Sequence, residues 1–191
     1  MCEPWRQTDY ILEGNRFDRI TIGSIREAIL HDPRVFWGET AVIVLSSYQQ
    51  EDIIHRLKQA DVPVCTLVFD DVITSNGRCF TRQMASTIAS FLRTIAENDT
   101  IRYIHIGCDS GVSRSSGCAA SLLRRFGEAD VSQSLFASPY FQPNARVAEI
   151  LSQELQVPFA LDELSGLIEE NKLALQSAIQ KSRGIQNQEN L

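Results

Sequence analysis

The sequence predicts an α/β domain: a central, mostly parallel sheet of about four to five strands, flanked by helices in a three-layer α/β/α arrangement. Three observations predict it. Apolar, β-branched runs alternate with amphipathic stretches between residues 18 and 127. The strongest run, "AVIVLSS" (41–47), is continuously apolar before its two serines, as a strand buried on both faces must be. Helical stretches separate successive runs, and such crossovers are right-handed and make neighbouring strands parallel.

Each element has its own signal. "DRITIG" (18–23) reads as a short first strand and "AVIVLSS" as the next. "EDIIHRLKQA" (51–60) places Ile53, Ile54 and Leu57 at helical spacing. "VPVCTLVFDD" (62–71) is a strand entered through Pro63 and left through Asp70 and Asp71, and "SNG" (75–77) is a turn. "TRQMASTIASFLRTIAEN" (81–98) carries Met84, Ile88, Phe91, Leu92 and Ile95 as a stripe behind a Thr81 cap. "IRYIHIG" (101–107) is a strand, and "SRSSGCAASLLRRFG" (113–127) a helix closed by Gly127. "DVSQSLFAS" (130–138) and "NARVAEILSQEL" (144–155) are helical, with Pro139 and Pro143 between them. Residues 1–160 are expected to form one domain. Residues 161–191 are expected to add a C-terminal extension of one or two amphipathic helices, packed on that domain, with a frayed tail.

Composition narrows the function. The chain has 191 residues, 43% hydrophobic and 22% charged, and a net charge of −6. An acidic chain is a poor non-specific binder of nucleic acid or of a membrane surface, so neither is an expected partner. No run approaches the roughly 18 apolar residues of a membrane span. The N-terminal "MCEPWRQTDY" lacks the pattern of a secretory signal. Five cysteines (2, 65, 79, 108 and 118) are irregularly spaced and form no Cys-x-x-Cys pair. That argues against structural zinc and for a reduced, cytoplasmic setting. The expected assembly is a monomer or a weak homodimer.

The chemistry concentrates in "IHIGCDSGVSRSSGCAA" (104–120), where a strand meets a helix. Ligands in open α/β sheets bind beyond the carboxyl ends of the strands. There the loop Asp109, Ser110, Gly111, Val112, Ser113 can turn its amides inward as an anion nest, with the positive end of the next helix aimed at the same spot. Arg114 enters the first helical turn, where its planar fork can grip two oxygens of a phosphate. Cys108 lies on the floor, among donors that favour a thiolate. A nucleophile beneath a bound tetrahedral anion is the layout for phosphoryl transfer to sulfur. Ser115 can donate to that sulfur, while Ser113 and Ser116 are candidate helix caps. A metal or cofactor is not called for, since cation and dipole already offset the developing charge.

Cys108, five residues, Arg114 and Ser115, with Gly111 midway, resembles the Cys-(x)5-Arg-Ser/Thr signature of the protein tyrosine phosphatase superfamily. The likeness runs from about residue 40 to 155 and points to the small dual-specificity branch and its bacterial relatives. "PNARVAEIL" (143–151) is similar to the Pro-Asn segment and helix late in that branch. The mid-chain motif differs from the low-molecular-weight phosphatases and arsenate reductases, whose similar loop is N-terminal. The resemblance implies a phosphomonoester hydrolase working through a phosphocysteine, on a phosphorylated protein or a small phosphate ester. It also implies an aspartate general acid on a loop after an earlier strand, which here points to Asp71 first and Asp70 second. One departure stands out: the family carries histidine immediately before the cysteine, and this chain has Gly107. Two other readings share the anion-binding loop: a weak or inactive phosphate-binding pseudophosphatase, and a rhodanese-like sulfur transferase.

Overall fold

The computed structural model describes residues 7–74, 77–127 and 129–188. Its five strands are β1 (Thr8–Ile11), β2 (Arg19–Ser24), β3 (Thr40–Ser46), β4 (Val64–Val68) and β5 (Tyr103–Cys108). They lie in the order β1-β2-β5-β3-β4, with only β1 antiparallel to its neighbour. The helices are α1 (Glu51–Gln59), α2 (Arg82–Ala96), α3 (Arg114–Phe126), α4 (Ala129–Ala137), α5 (Ala145–Glu154) and α6 (Leu161–Gln188). A π-helical turn (Arg26–Leu30) and a 3-10 turn (Pro33–Phe36) connect β2 to β3. The mostly parallel α/β architecture is the one expected. Among the described residues, no helix is long and apolar enough to cross a membrane.

Strand β3 shows why the run from Ala41 to Leu45 had to be continuous. All seven of its residues are buried. Ala41, Ile43 and Leu45 join the larger core with Ile20, Ile22, Ile104 and Ile106, beneath α2, α3 and α5. Val42 and Val44 face the other way, into a smaller core with Ile25, Ala28, Ile29, Ile53 and Leu57. Full burial of each Ile or Leu contributes about 1.5–3 kcal/mol, so both faces stabilise the sheet.

Two strands differ from the reading of the sequence. β1 gave no clear strand signal: it is four residues long, at the sheet edge, and half-exposed in alternation. β4 is shorter than 62–71; the Val42 N–H to Pro63 carbonyl and Phe69 N–H to Ser46 carbonyl bonds (2.9 Å each) extend its pairing by one residue at either end. Asp70 and Asp71 therefore belong to the following loop. The turn placed at 75–77 lies largely outside the described residues. Residues 161–188 form one helix, of which Leu164 and Leu167 are buried while Leu173 and Ile179 are exposed.

Two glycines facing each other across β2 and β5 decide what lies on the second face. Gly23 pairs with Gly107. A Cβ on Gly23 would fall 2.9 Å from the Ala28 Cβ; one on Gly107 would fall 2.8 Å from Ile29 Cδ1 and 3.1 Å from Ile25 Cα. The bare backbone is the seat on which the Arg26–Leu30 turn rests. Two positions earlier on β5, His105 is fully buried and its Nδ1 is 2.6 Å from the Ala28 carbonyl. Burial pushes its pKa down, so the neutral ring donates this bond and pins the turn.

Candidate active site

The site lies at the carboxyl ends of β3, β4 and β5. Cys108 ends β5, fully buried, with Sγ 3.2 Å from the Gly111 N–H and 3.2 Å from Ser115 Oγ. Gly111 has φ of +75°, the left-handed region, and its absent Cβ would sit 2.3 Å from the Ser24 amide nitrogen. Only glycine lets the loop turn back over the sulfur while pressed against the end of β2. The amides of Ser110, Val112 and Ser113 find no acceptor among the described residues, which leaves them available to an anion.

Arg114 is 4% exposed, and its guanidinium is anchored on one side. Nη1 donates to Ser47 Oγ and the Phe69 carbonyl (2.9 Å each), and Nη2 to Asp109 Oδ2 (2.6 Å). Nε has no acceptor among the described residues and is 4.0 Å from Asp71 Oδ2. A buried guanidinium N–H without a partner is costly unless a ligand supplies one. Asp109 in turn accepts from the Ser46 hydroxyl (2.6 Å) and the Ser47 amide (3.1 Å). Burial alone would raise its pKa, but the Ser46, Arg114 and Ser47 donors outweigh it and hold the carboxylate below its ordinary value. The Asp109 side chain is thus a brace for Arg114.

The two candidate acids part company. Asp71 reaches the loop: its Oδ1 accepts from Ser113 Oγ (2.8 Å) and from Asn144 Nδ2 (2.7 Å). Asp70 turns to Arg78, whose Nη2 donates to it (2.8 Å) and to the Ser47 carbonyl (3.0 Å). The serines do not cap α3 as expected. Ser113 spends its hydroxyl on Asp71, and Ser116 donates back to the Val112 and Ser113 carbonyls. Asn144 caps α5 instead, accepting from the Val147 amide (3.1 Å). Gly117 lets this segment approach, since a Cβ there would be 2.7 Å from the Asn144 carbonyl oxygen.

Ser46, Ser47 and Gly23 were not singled out from sequence, and Asn144 was noted only as part of the Pro-Asn segment. A signal existed for the serines: they end β3, the strand beside β5, where side chains must face the loop. Cys65 and Cys118 stay out of the chemistry; burial pushes both thiols up, Cys65 to about 11. Among the described residues no cluster of three His, Cys, Asp or Glu could hold a metal.

A thiol under a loop with unpaired amides, with an arginine at its rim and a five-stranded, mostly parallel sheet behind it, is the arrangement of a tyrosine-phosphatase-like α/β fold. Solved structures carry that conclusion. The Cydia pomonella PTP-2 phosphatase matches with a TM-score of 0.52 at 15% identity, over 76% of this chain and 88% of that one. The human tyrosine phosphatase-like serine/threonine/tyrosine-interacting protein matches with a TM-score of 0.50 at 14% identity, over 78% and 95%. At these identities the likeness is one of fold, and the chain has the protein tyrosine phosphatase fold. No protein-family model and no curated protein matches the sequence.

Proposed function

We propose that this protein is a cysteine-dependent phosphomonoester hydrolase acting on a phosphorylated protein or a small phosphate ester. The observation that carries the reading is the pairing of Cys108 Sγ with the Gly111 amide and the Ser115 hydroxyl, beneath an Arg114 whose Nε–H has no acceptor among the described residues. Both donors stabilise sulfur as an anion. The free amides and Arg114 bind the non-bridging oxygens of the phosphate.

The reaction then runs in two displacements. Cys108 Sγ attacks phosphorus as the bond to the leaving oxygen breaks, and Asp71 gives its proton to that oxygen. The products are the free alcohol or phenol and a phosphocysteine. Asp71, now a carboxylate, takes a proton from water as the water oxygen attacks phosphorus. The S–P bond breaks, inorganic phosphate leaves, and Ser115 donates to the departing sulfur.

A second reading is a phosphate-binding module without turnover. Gly107 favours it, since it stands where the resembled family carries histidine. Hydrolysis of p-nitrophenyl phosphate separates the two. Turnover lost in Cys108→Ser supports the hydrolase. Equal rates in both proteins would overturn it, and phosphate affinity without turnover would establish the binding module.

A further inference from the structure

A cleft of about 500 Å³ opens beside the phosphate loop. Asp71 and Ser113 line both, so the cleft begins where the leaving oxygen of a bound ester must lie. Its walls are largely apolar: Ile73 from the loop after β4, Pro143 from the connection into α5, and Ile168 from α6. Ile73 is 65% exposed, a large apolar side chain left in the open at the mouth. At the end formed by α6 stands Lys172, the one cation among the lining residues. Its partner Glu169, 3.0 Å away one turn back, is as exposed as the lysine itself. Exposed pairs of this kind hold weakly and can yield to another anion.

Helix α6 is fixed in this position. Asn171, 4% exposed, directs its Nδ2 at the carbonyls of Phe136 (2.8 Å), Ser138 (3.3 Å) and Phe141 (2.9 Å). That staple joins α6 to the segment that leads into Asn144 and hence to Asp71. It puts Ile168 and Lys172, on either side of Asn171 in the chain, into the cleft wall.

We propose that this cleft receives the organic part of the phosphoester, an apolar ring followed by an anionic group, and that α6 selects it through Ile168 and Lys172. The inference rests on the hydrolase reading for the placement of the phosphate, but affinity tests it without turnover. The selected class is an acidic phosphotyrosyl peptide. A chain of net charge −6 would on average favour a basic one, so acidic preference must come from a local cation.

The test uses the full chain with Cys108→Ser and two fluorescent phosphotyrosyl peptides, one flanked on both sides by glutamates and one by lysines. Fluorescence polarisation gives the ratio of their dissociation constants. The acidic peptide is expected to bind more tightly. Lys172→Met should reduce the preference about threefold and Lys172→Glu about tenfold, as expected of an exposed ion pair removed or reversed. Lys181→Glu, further along α6 and outside the cleft, makes the same charge change and should leave the ratio unaltered. A ratio insensitive to Lys172→Glu, or shifted equally by Lys181→Glu, would overturn the inference. Failure of the wild type to turn over p-nitrophenyl phosphate would count against the hydrolase alone.

Discussion

Placing an alanine at Gly107 tests why this chain has glycine where the resembled family has histidine. The added Cβ lands 2.8 Å from Ile29 Cδ1, 3.3 Å from Ile29 Cγ1 and 3.1 Å from Ile25 Cα. Ile29 is fully buried, so its tip has nowhere free to swing. Overpacking of this kind costs about 1–3 kcal/mol. Strand alanine regains about 0.5–1 kcal/mol over glycine. The net loss expected for Gly107→Ala is about 1–2 kcal/mol, a drop in Tm of about 2–8 °C for a chain of this size. Ile29→Val removes the nearest clashing carbon and by itself costs about 0.5–1.5 kcal/mol. In the double variant the two changes should be less than additive, with a coupling of about 1 kcal/mol. Relief stays partial because the Ile25 backbone does not move with Ile29. Urea unfolding of the four proteins measures the cycle. Gly107→Ala within 0.5 kcal/mol of wild type, or strict additivity in the double variant, would refute the idea that Gly107 seats the Arg26–Leu30 turn. Gly107→His, which introduces the residue of the resembled family, should for the same reason lower stability and activity together.

Further expectations follow from other residues. Asp71→Asn should slow hydrolysis of phenyl phosphate by about 10²–10⁴ and that of p-nitrophenyl phosphate far less, because only the poorer leaving group needs the proton; a kinetic comparison of the two esters decides it. Gly111→Ala should abolish turnover, since its Cβ would meet the Ser24 backbone at 2.3 Å; activity within tenfold of wild type would contradict the loop geometry. Asp32 accepts from Arg34 Nε at 2.8 Å and from the Gln7 amide at 2.6 Å. Burial alone would raise its pKa, but these donors hold it down at about 2, against 3.8 when free. A depressed carboxylate stabilises the fold above its unfolded pKa and loses that contribution as pH falls through the folded one. About 2 kcal/mol should therefore vanish between pH 4 and pH 2, and the acid unfolding curve of Asp32→Asn should be correspondingly flatter in that window.

What could be read from the sequence was what short-range pattern encodes. The continuous apolar run of β3, the Thr81 cap of α2 and the strand–loop–helix around Cys108 each carry their signal within a few residues. The fold class and the partners Cys108, Gly111, Arg114 and Ser115 were legible for that reason. Long-range closure was not. Nothing near Asp109 in the chain says that it braces Arg114 through Ser46 and Ser47, which β3 brings alongside β5. The choice between Asp70 and Asp71 rested on resemblance; the structure separates them through Asn144, far along the chain. Gly107 looked like a missing histidine. Only the pairing with Gly23 shows it as a packing surface for the turn above it. The role of α6 was hidden too, because Asn171 reads as one polar residue in an amphipathic helix until its three carbonyl acceptors are seen.

The central claim is that Cys108 becomes phosphorylated during turnover. Rapid acid quench of the protein mixed with p-nitrophenyl phosphate, followed by peptide mass spectrometry, measures this directly. The account predicts a phosphoryl group on the peptide containing Cys108, more abundant when Asp71→Asn slows the attack of water, and absent from Cys108→Ser. Steady hydrolysis with no phosphoryl group on Cys108, or with hydrolysis surviving Cys108→Ser, would contradict it.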